Sequence, residues 1–159
     1  YILGYDSNKN LSKLTNATKT NLSTYLEQYR MMNDAVNIKD AFVINVGIDF
    51  KIRVSTGFNN QEILLKCISN IQNIFNIDKW QINQPISKSE IQKSLLEVIG
   101  VQSVPEITFT NIFGETSGYS KYKYDLDSAT QNDIIYPSLD PCIFEVKYPN
   151  TDIKGQIIT

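Results

Sequence analysis

At 159 residues the chain has room for one domain with an appendage, and can bury roughly 70 % of the surface its unfolded form exposes. Charged residues make up 20 % and the net charge is −2, which gives no electrostatic pull toward nucleic acid or an anionic membrane; Arg30 and Arg53 are the only arginines, which weakens phosphate recognition further. Histidine is absent, so common zinc sites, Ser-His-Asp triads and Cys-His pairs are all excluded.

The chain opens at Tyr1 rather than Met and is expected to be part of a longer polypeptide. Tyr1 to Asn10 is short and polar after "YILGY" and reads as an incoming linker. "NATKTNLSTYLEQYRMM" predicts a helix over 16–32, with Leu22, Tyr25, Leu26 and Tyr29 at i, i+3, i+4, i+7 on one apolar stripe. The sequons at Asn10, Asn16 and Asn21 fall in an Asn-rich segment, where chance accounts for them. "NDAVNIKD" breaks the helical pattern with turn formers. "FVINVGIDFKIRV", Phe42 to Val54, then alternates without a break. Phe42, Ile44, Val46, Ile48, Phe50, Ile52 and Val54 form a dry parity; Asn45, Gly47, Asp49, Lys51 and Arg53 face water or a neighbouring subunit.

"STGFNNQ" supplies a glycine turn and an asparagine N-cap for a helix over about 60–75. Ile63, Leu64, Cys67, Ile68, Ile71, Ile74 and Phe75 fall on one side of it and only Leu65 is out of place. "DKWQINQPI" predicts a short edge strand around 80–82, ended by Pro85. Ser87-Lys-Ser-Glu90 is a capping box, opening a helix to about Ile99 with Ile91, Leu95, Val98 and Ile99 inward and Gly100 as its left-handed stop. "EITFTNIF" predicts a strand over 106–113. "GETSGYSKYKYDLDSATQND", 114–133, is polar, tyrosine-rich and without period, and a loop of that length is usually functional or disordered. "CIFEVKY" restores alternation with Cys142, Phe144, Val146 and Tyr148 on one face, and "PNTD" turns into a terminal strand in "IKGQII". The predicted fold is α+β: a small twisted sheet of three to five strands, two amphipathic helices on one face, an N-terminal helix and a long Tyr-rich loop. Three parts follow: a linker and helix over 1–37, a βααβ core over 38–113, and 114–159 as loop and strands of the same domain or an interaction appendage.

Chemistry is sparse. The seven glycines are scattered singly, with neither a phosphate loop nor a dinucleotide fingerprint. Asp125-Leu-Asp127 lacks EF-hand ligand spacing. Asp49, Glu106 and Glu145 are the candidate acid–base carboxylates, and each reads as an outward residue of a half-solvated sheet. The open face carries no aromatic for stacking on RNA bases. Cys67 and Cys142 read as small buried hydrophobes, and no apolar run reaches the roughly 18 residues of a membrane span. No catalytic, cofactor-binding or metal-binding residue is assigned, and an enzyme is not expected. Trp80 reads as a core anchor or as an interface hot spot. Tyr119, Tyr122 and Tyr124 read as a contact arm, since tyrosine supplies rigid amphipathic area at low entropic cost. Tyr136 and Tyr148 complete the candidate interface.

The order of these pieces carries a resemblance. A polar helix ending "YLEQYR", the strand segment "NDAVNIKDAFVINVGIDFKIRV", an amphipathic helix and "WQINQPISKSEIQKSLLEVIGVQSVPEITF" form one connected pattern. It resembles the C-terminal region of phage baseplate J-like proteins, the wedge components of contractile tails. The "PISKSEI" segment, Pro85 to Ile91, and the "GVQSV" step, Gly100 to Val104, match that family's helix entry and exit. The likeness covers about Leu22 to Phe113, while the tail from Gly114 looks more like the larger T-even-type wedge proteins. It implies a structural subunit without catalysis or cofactor. Its partners would be a second copy and other wedge proteins, with neither nucleic acid nor membrane, in the virion baseplate after assembly in the host cytoplasm. The alternative is a stand-alone protein- or glycan-binding module using its sheet edge and Tyr-rich loop.

Overall fold

The computed structural model describes residues 1–31 and 35–158 and divides into two compact units, one from Tyr1 to Phe42 and one beginning at Val43. In the first, the segment expected as a linker is a small hairpin. Strand β1 (Gly4–Tyr5) pairs antiparallel with β2 (Leu11–Ser12), and the Asp6 carboxylate closes the turn by accepting from the Asn8 and Asn10 amides at 2.8 and 2.9 Å. Helix α1 (Asn16–Glu27) starts where the Thr15 hydroxyl accepts from the Thr18 amide at 3.3 Å. It is shorter than the predicted 16–32, because its last turn tightens onto the Tyr25 and Leu26 carbonyls. Met32 of that expected helix, and Asn33 and Asp34 of the turn after it, lie outside the described residues.

The second unit is built on β3 (Phe42–Val54), with the bounds its alternation predicts. Ile44, Val46, Ile48, Phe50 and Ile52 are all buried, and each such side chain stabilises by roughly 1.5–3 kcal/mol. Two helices cover this face. Helix α2 (Asn60–Ile74), capped by the Asn59 carboxamide, buries Ile63, Cys67 and Ile71 and leaves Leu65 in solvent. Strand β4 (Ile86–Ser87) leads into α3 (Lys88–Leu96), where the Ser87 hydroxyl accepts from the Glu90 amide at 3.3 Å and Ile91 and Leu95 are buried. Ile99 does not point inward. The helix ends at Leu96, Gly100 turns the chain at φ 103°, and Ile99 is left 80 % exposed.

Strand β5 (Val101–Ile112) pairs antiparallel with β3 and begins five residues earlier than Glu106, the predicted start. It passes through Pro105 at a bulge: pairing steps from Lys51↔Glu106 to Arg53↔Ser103, so β5 advances three positions while β3 advances two. A residue without an N–H fits where the ladder is interrupted. The 80–82 strand is absent; that segment turns on the Asn76 and Gln81 carbonyls, and Asn83, at φ 63°, ties to Cys142 through its amide and its carboxamide oxygen.

The segment after Gly114 is mostly ordered structure. A 3-10 turn (Glu115–Ser117) is followed by a hairpin of β6 (Thr130–Gln131) and β7 (Ile134–Ile135), closed by Asn132 and Asp133, both at positive φ. That is the backbone a two-residue hairpin turn of matching twist requires. β7 also pairs with β4, making a second, three-stranded sheet. Strand β8 (Cys142–Glu145), the short helix α4 (Pro149–Asp152) and β9 (Ile153–Ile157) complete the chain. β8 and β9 both pair with β3, β9 in parallel, so this segment completes the core domain. Gly155 lies beside Phe50, and a Cβ there would meet the Phe50 ring at 2.5 Å and Leu64 at 2.6 Å. The fold is thus α+β, a four-stranded main sheet with α2 and α3 on one face.

Candidate functional site

The polar parity of β3 is only half solvated. Asp49 and Arg53 are exposed, but Asn45 is 1 % exposed and Gly47 is buried, because the segment after β5 folds back over that end of the sheet. Asn45 Nδ2 donates to Glu145 Oε2 at 2.7 Å, and Asn45 Oδ1 accepts from the Ser120 amide at 2.7 Å. Asn111 adds a second clasp: its Nδ2 donates to the Asn45 carbonyl at 3.0 Å and its Oδ1 accepts from the Tyr124 amide at 2.8 Å. β8 is consequently buried on both faces, where its alternation predicts one, and Glu145 is an interior carboxylate at 6 % exposure instead of an outward one. Burial at this cost requires hydrogen-bonded partners, and the carboxamide of Asn45 supplies one.

The five candidate tyrosines are sorted by the same fold. Tyr119 donates to Asp152 Oδ1 at 2.7 Å, the other carboxylate oxygen accepts from the Tyr148 amide at 2.9 Å, and the Tyr119 and Tyr148 rings meet edge to face at 5.3 Å. Tyr124 donates to the Tyr136 carbonyl at 2.8 Å and sets its ring 6.1 Å from Phe144. Tyr122 is half-buried beneath the Lys121 ammonium, 5.6 Å from its ring centre. Tyr136 and Tyr148 remain 45 % and 41 % exposed. The segment expected to reach outward as a contact arm is therefore fastened to its own domain at Asn45, Asn111 and Asp152. Trp80 stacks on Phe75 at 4.9 Å, with its indole N–H unpartnered, beside an open cavity of about 270 Å³.

Burial, and after it the Asp152 carboxylate, pushes the Tyr119 phenol up from 10.0 to about 12. Its neutral form is the one the fold favours, so its contribution to stability is complete below pH 10 and is lost as pH rises through about 12. Tyr119→Phe is expected to lower stability at neutral pH by about 1–2 kcal/mol and to flatten the alkaline decline. Urea unfolding midpoints of both proteins between about pH 9 and 12 check this; parallel declines would refute it.

The solvated end of the polar face is a shallow cavity of about 320 Å³ among Asp49, Lys51, Glu106, Thr108, Lys154 and Gln156. Lys51 Nζ sits 2.6 Å from Glu106 Oε2 and holds that carboxyl below its ordinary range. Asp125, half of the Asp-Leu-Asp pair, is occupied by Ser128, whose amide and hydroxyl it accepts at 3.2 and 2.6 Å. Among the described residues no three of Cys, Asp and Glu converge as a metal set would. Cys67 and Cys142 are free and 0 % exposed, and burial raises the Cys67 thiol to about 11.

Neither a scan against protein-family models nor a search of curated proteins returns a match. A further surface feature is α1. Twelve residues long, it buries none of them; Tyr25 and Leu26 are 56 % and 37 % exposed, and Tyr29 and Met31 just beyond it are 71 % and 80 % exposed. No helix among the described residues is long and apolar enough to cross a membrane. Of the buried polar residues, Glu145 and its alternating strand were visible in the sequence, but nothing there marked Asn45 as its partner, apart from asparagine's poor fit to a strand interior.

Proposed function

We propose that this chain is a structural part of a contractile-tail baseplate wedge, built to pair with a second copy of itself and with other wedge subunits in the ring around the tail hub. The observation that carries the reading is helix α1, none of whose twelve residues is buried. Isolated helices of about 12–15 residues are marginal in water and draw their stability from packing an apolar face. With no buried residue of its own, Leu22 half-buried, and Tyr25 and Leu26 in solvent, α1 gains further packing from a partner, beyond the Lys19–Asp40 pair that ties it to its own unit. The most economical partner is the α1 of a second copy, which presents the same stripe.

The family resemblance agrees with this role, and its two sharpest segments sit at structural joints. "PISKSEI" is the strand-to-helix entry capped by Ser87, and "GVQSV" is the left-handed exit at Gly100 into β5. Fastening of the tyrosine-rich segment to its own domain favours a rigid building block over a free capture arm. Co-expression with the remaining wedge proteins of a contractile-tail phage tests the wider role. The chain is expected to co-purify with them at fixed stoichiometry; its recovery alone under all salt conditions would count against the proposal.

A further inference from the structure

Helix α1 rests on its own unit by one face and carries its apolar stripe on another. Its half-buried residues are Lys19, Leu22 and Ser23, at i, i+3 and i+4, a face centred on the lysine. The stripe of Leu22, Tyr25, Leu26 and Tyr29 shares only Leu22 with that face, and its Tyr25 and Tyr29 are 56 % and 71 % exposed. A helix docked permanently on its own fold turns its apolar stripe inward. In α1 a charged side chain takes the inward position.

That charge is held by Asp40. Lys19 Nζ sits 2.6 Å from Asp40 Oδ2, with the two side chains 20 % and 19 % exposed. Among the described residues the other side-chain hydrogen bonds of α1 stay within the helix and its flanking turns: Thr18 with Thr15, Thr20 and Thr24 with carbonyls one turn back, and Tyr25 with Tyr29. The backbone around Asp40 is fixed, since the Ile2 amide donates to the Lys39 carbonyl at 2.9 Å and the Ala41 amide donates to the Ile2 carbonyl at 3.2 Å. The second carboxylate oxygen, Asp40 Oδ1, is buried with no hydrogen-bond partner in the chain. A buried oxygen without a donor carries a desolvation cost, so the pair is only half satisfied and holds α1 weakly.

We propose that the Lys19–Asp40 pair is an autoinhibitory catch, which parks α1 on its own unit and restrains it from pairing. Leu22 belongs both to the parked face and to the stripe, and it cannot serve the two at once. Joining the full stripes of two copies therefore requires α1 to leave Asp40. The chain exchanges between a parked state and a pairing-competent one, and the parked fraction lowers its apparent affinity for a second copy in proportion. The inference rests on the reading of α1 as the pairing element and adds the control on it.

Three variants of the full chain form the test. Asp40→Ala and Lys19→Gln each open the catch from one side, the second with little change in helix propensity. The Lys19→Asp, Asp40→Lys double variant restores an ion pair in reverse. Amide hydrogen exchange on the dilute chain reports whether α1 is held, and light scattering across a concentration series gives the dissociation constant. Both opened variants are expected to exchange α1 amides about fivefold faster, while the amides of the β1–β2 hairpin keep their rates, and to self-associate about fivefold more tightly. The reversed pair should return both quantities toward wild type. Opened variants that associate more weakly than wild type, or no more tightly, would overturn the catch, as would unchanged exchange in α1; wild-type self-association would stand in each case. A one-chain mass for the wild type and every variant would instead overturn the reading of α1 as the pairing element, and the control with it.

Discussion

Asn45→Ala is expected to destabilise the domain by roughly 2–4 kcal/mol, although the change removes only a small side chain. Asn45 is 1 % exposed and serves two groups that lose water on folding: the Glu145 carboxylate, at 2.7 Å, and the Ser120 amide, at 2.7 Å. A hydrogen bond to a charged group contributes about 1.5–3 kcal/mol and a neutral one about 0.5–1.5 kcal/mol. Truncation forfeits both and leaves the Ser120 amide without the acceptor Asn45 gave it. Asn45→Asp tests the chemistry separately from the volume, because it sets one carboxylate against another. It should be more damaging than Asn45→Ala at neutral pH and should partly recover as pH falls and one of the pair takes a proton. Urea unfolding gives both numbers from the shift in midpoint at unchanged slope. A cost below about 0.5 kcal/mol for Asn45→Ala would mean that water or another side chain replaces the carboxamide.

Phe50→Ala should cost about 3–5 kcal/mol, the range for losing a fully buried aromatic ring. Phe50 is 1 % exposed, at the centre of the dry face of β3. Its ring extends over Gly155 of β9, which holds the space that a Cβ would fill at 2.5 Å. The two positions are therefore coupled. Gly155→Ala alone is expected to cost about 1–3 kcal/mol through overpacking, and less in a Phe50→Leu background, where the ring no longer reaches. A double-mutant cycle measures the difference; strict additivity would mean that β9 shifts away to relieve the contact.

Wherever one periodicity ran unopposed, the fold was legible from residues. β3 has its predicted bounds because seven apolar residues keep one parity from Phe42 to Val54. α2 lies where the Asn59 cap and the stripe of Ile63, Cys67 and Ile71 place it. Alternation reports the polarity of a face, however, and not what later covers it. Asn45 and Glu145 are polar residues on alternating strands and read as solvated, yet the chain returns from Gly114 and seals them together. The hairpin at Thr130 to Ile135 had a readable signal in Asn132-Asp133, obscured by the polar run around it. Ile99 was misplaced because the apolar stripe continues past the residue where the helix stops. Of the candidate interface, Trp80 and the five tyrosines were visible as residue types. Their division into the Tyr119–Tyr148 and Tyr124–Tyr136 pairs depends on Asp152 and on the return of the C-terminal chain. The stripe of α1 was legible, but a stripe does not say whether its cover lies in the same chain.

Light scattering coupled to size-exclusion chromatography, on the full chain across a concentration series, tests that point directly. Self-association through α1 predicts a mass above the 18.1 kDa of one chain, rising toward twice that value with concentration. The Tyr25→Lys, Tyr29→Lys double variant, folded as judged by an unchanged unfolding transition, should return to 18.1 kDa. A wild-type mass of 18.1 kDa at every concentration, indistinguishable from the variant, would contradict it.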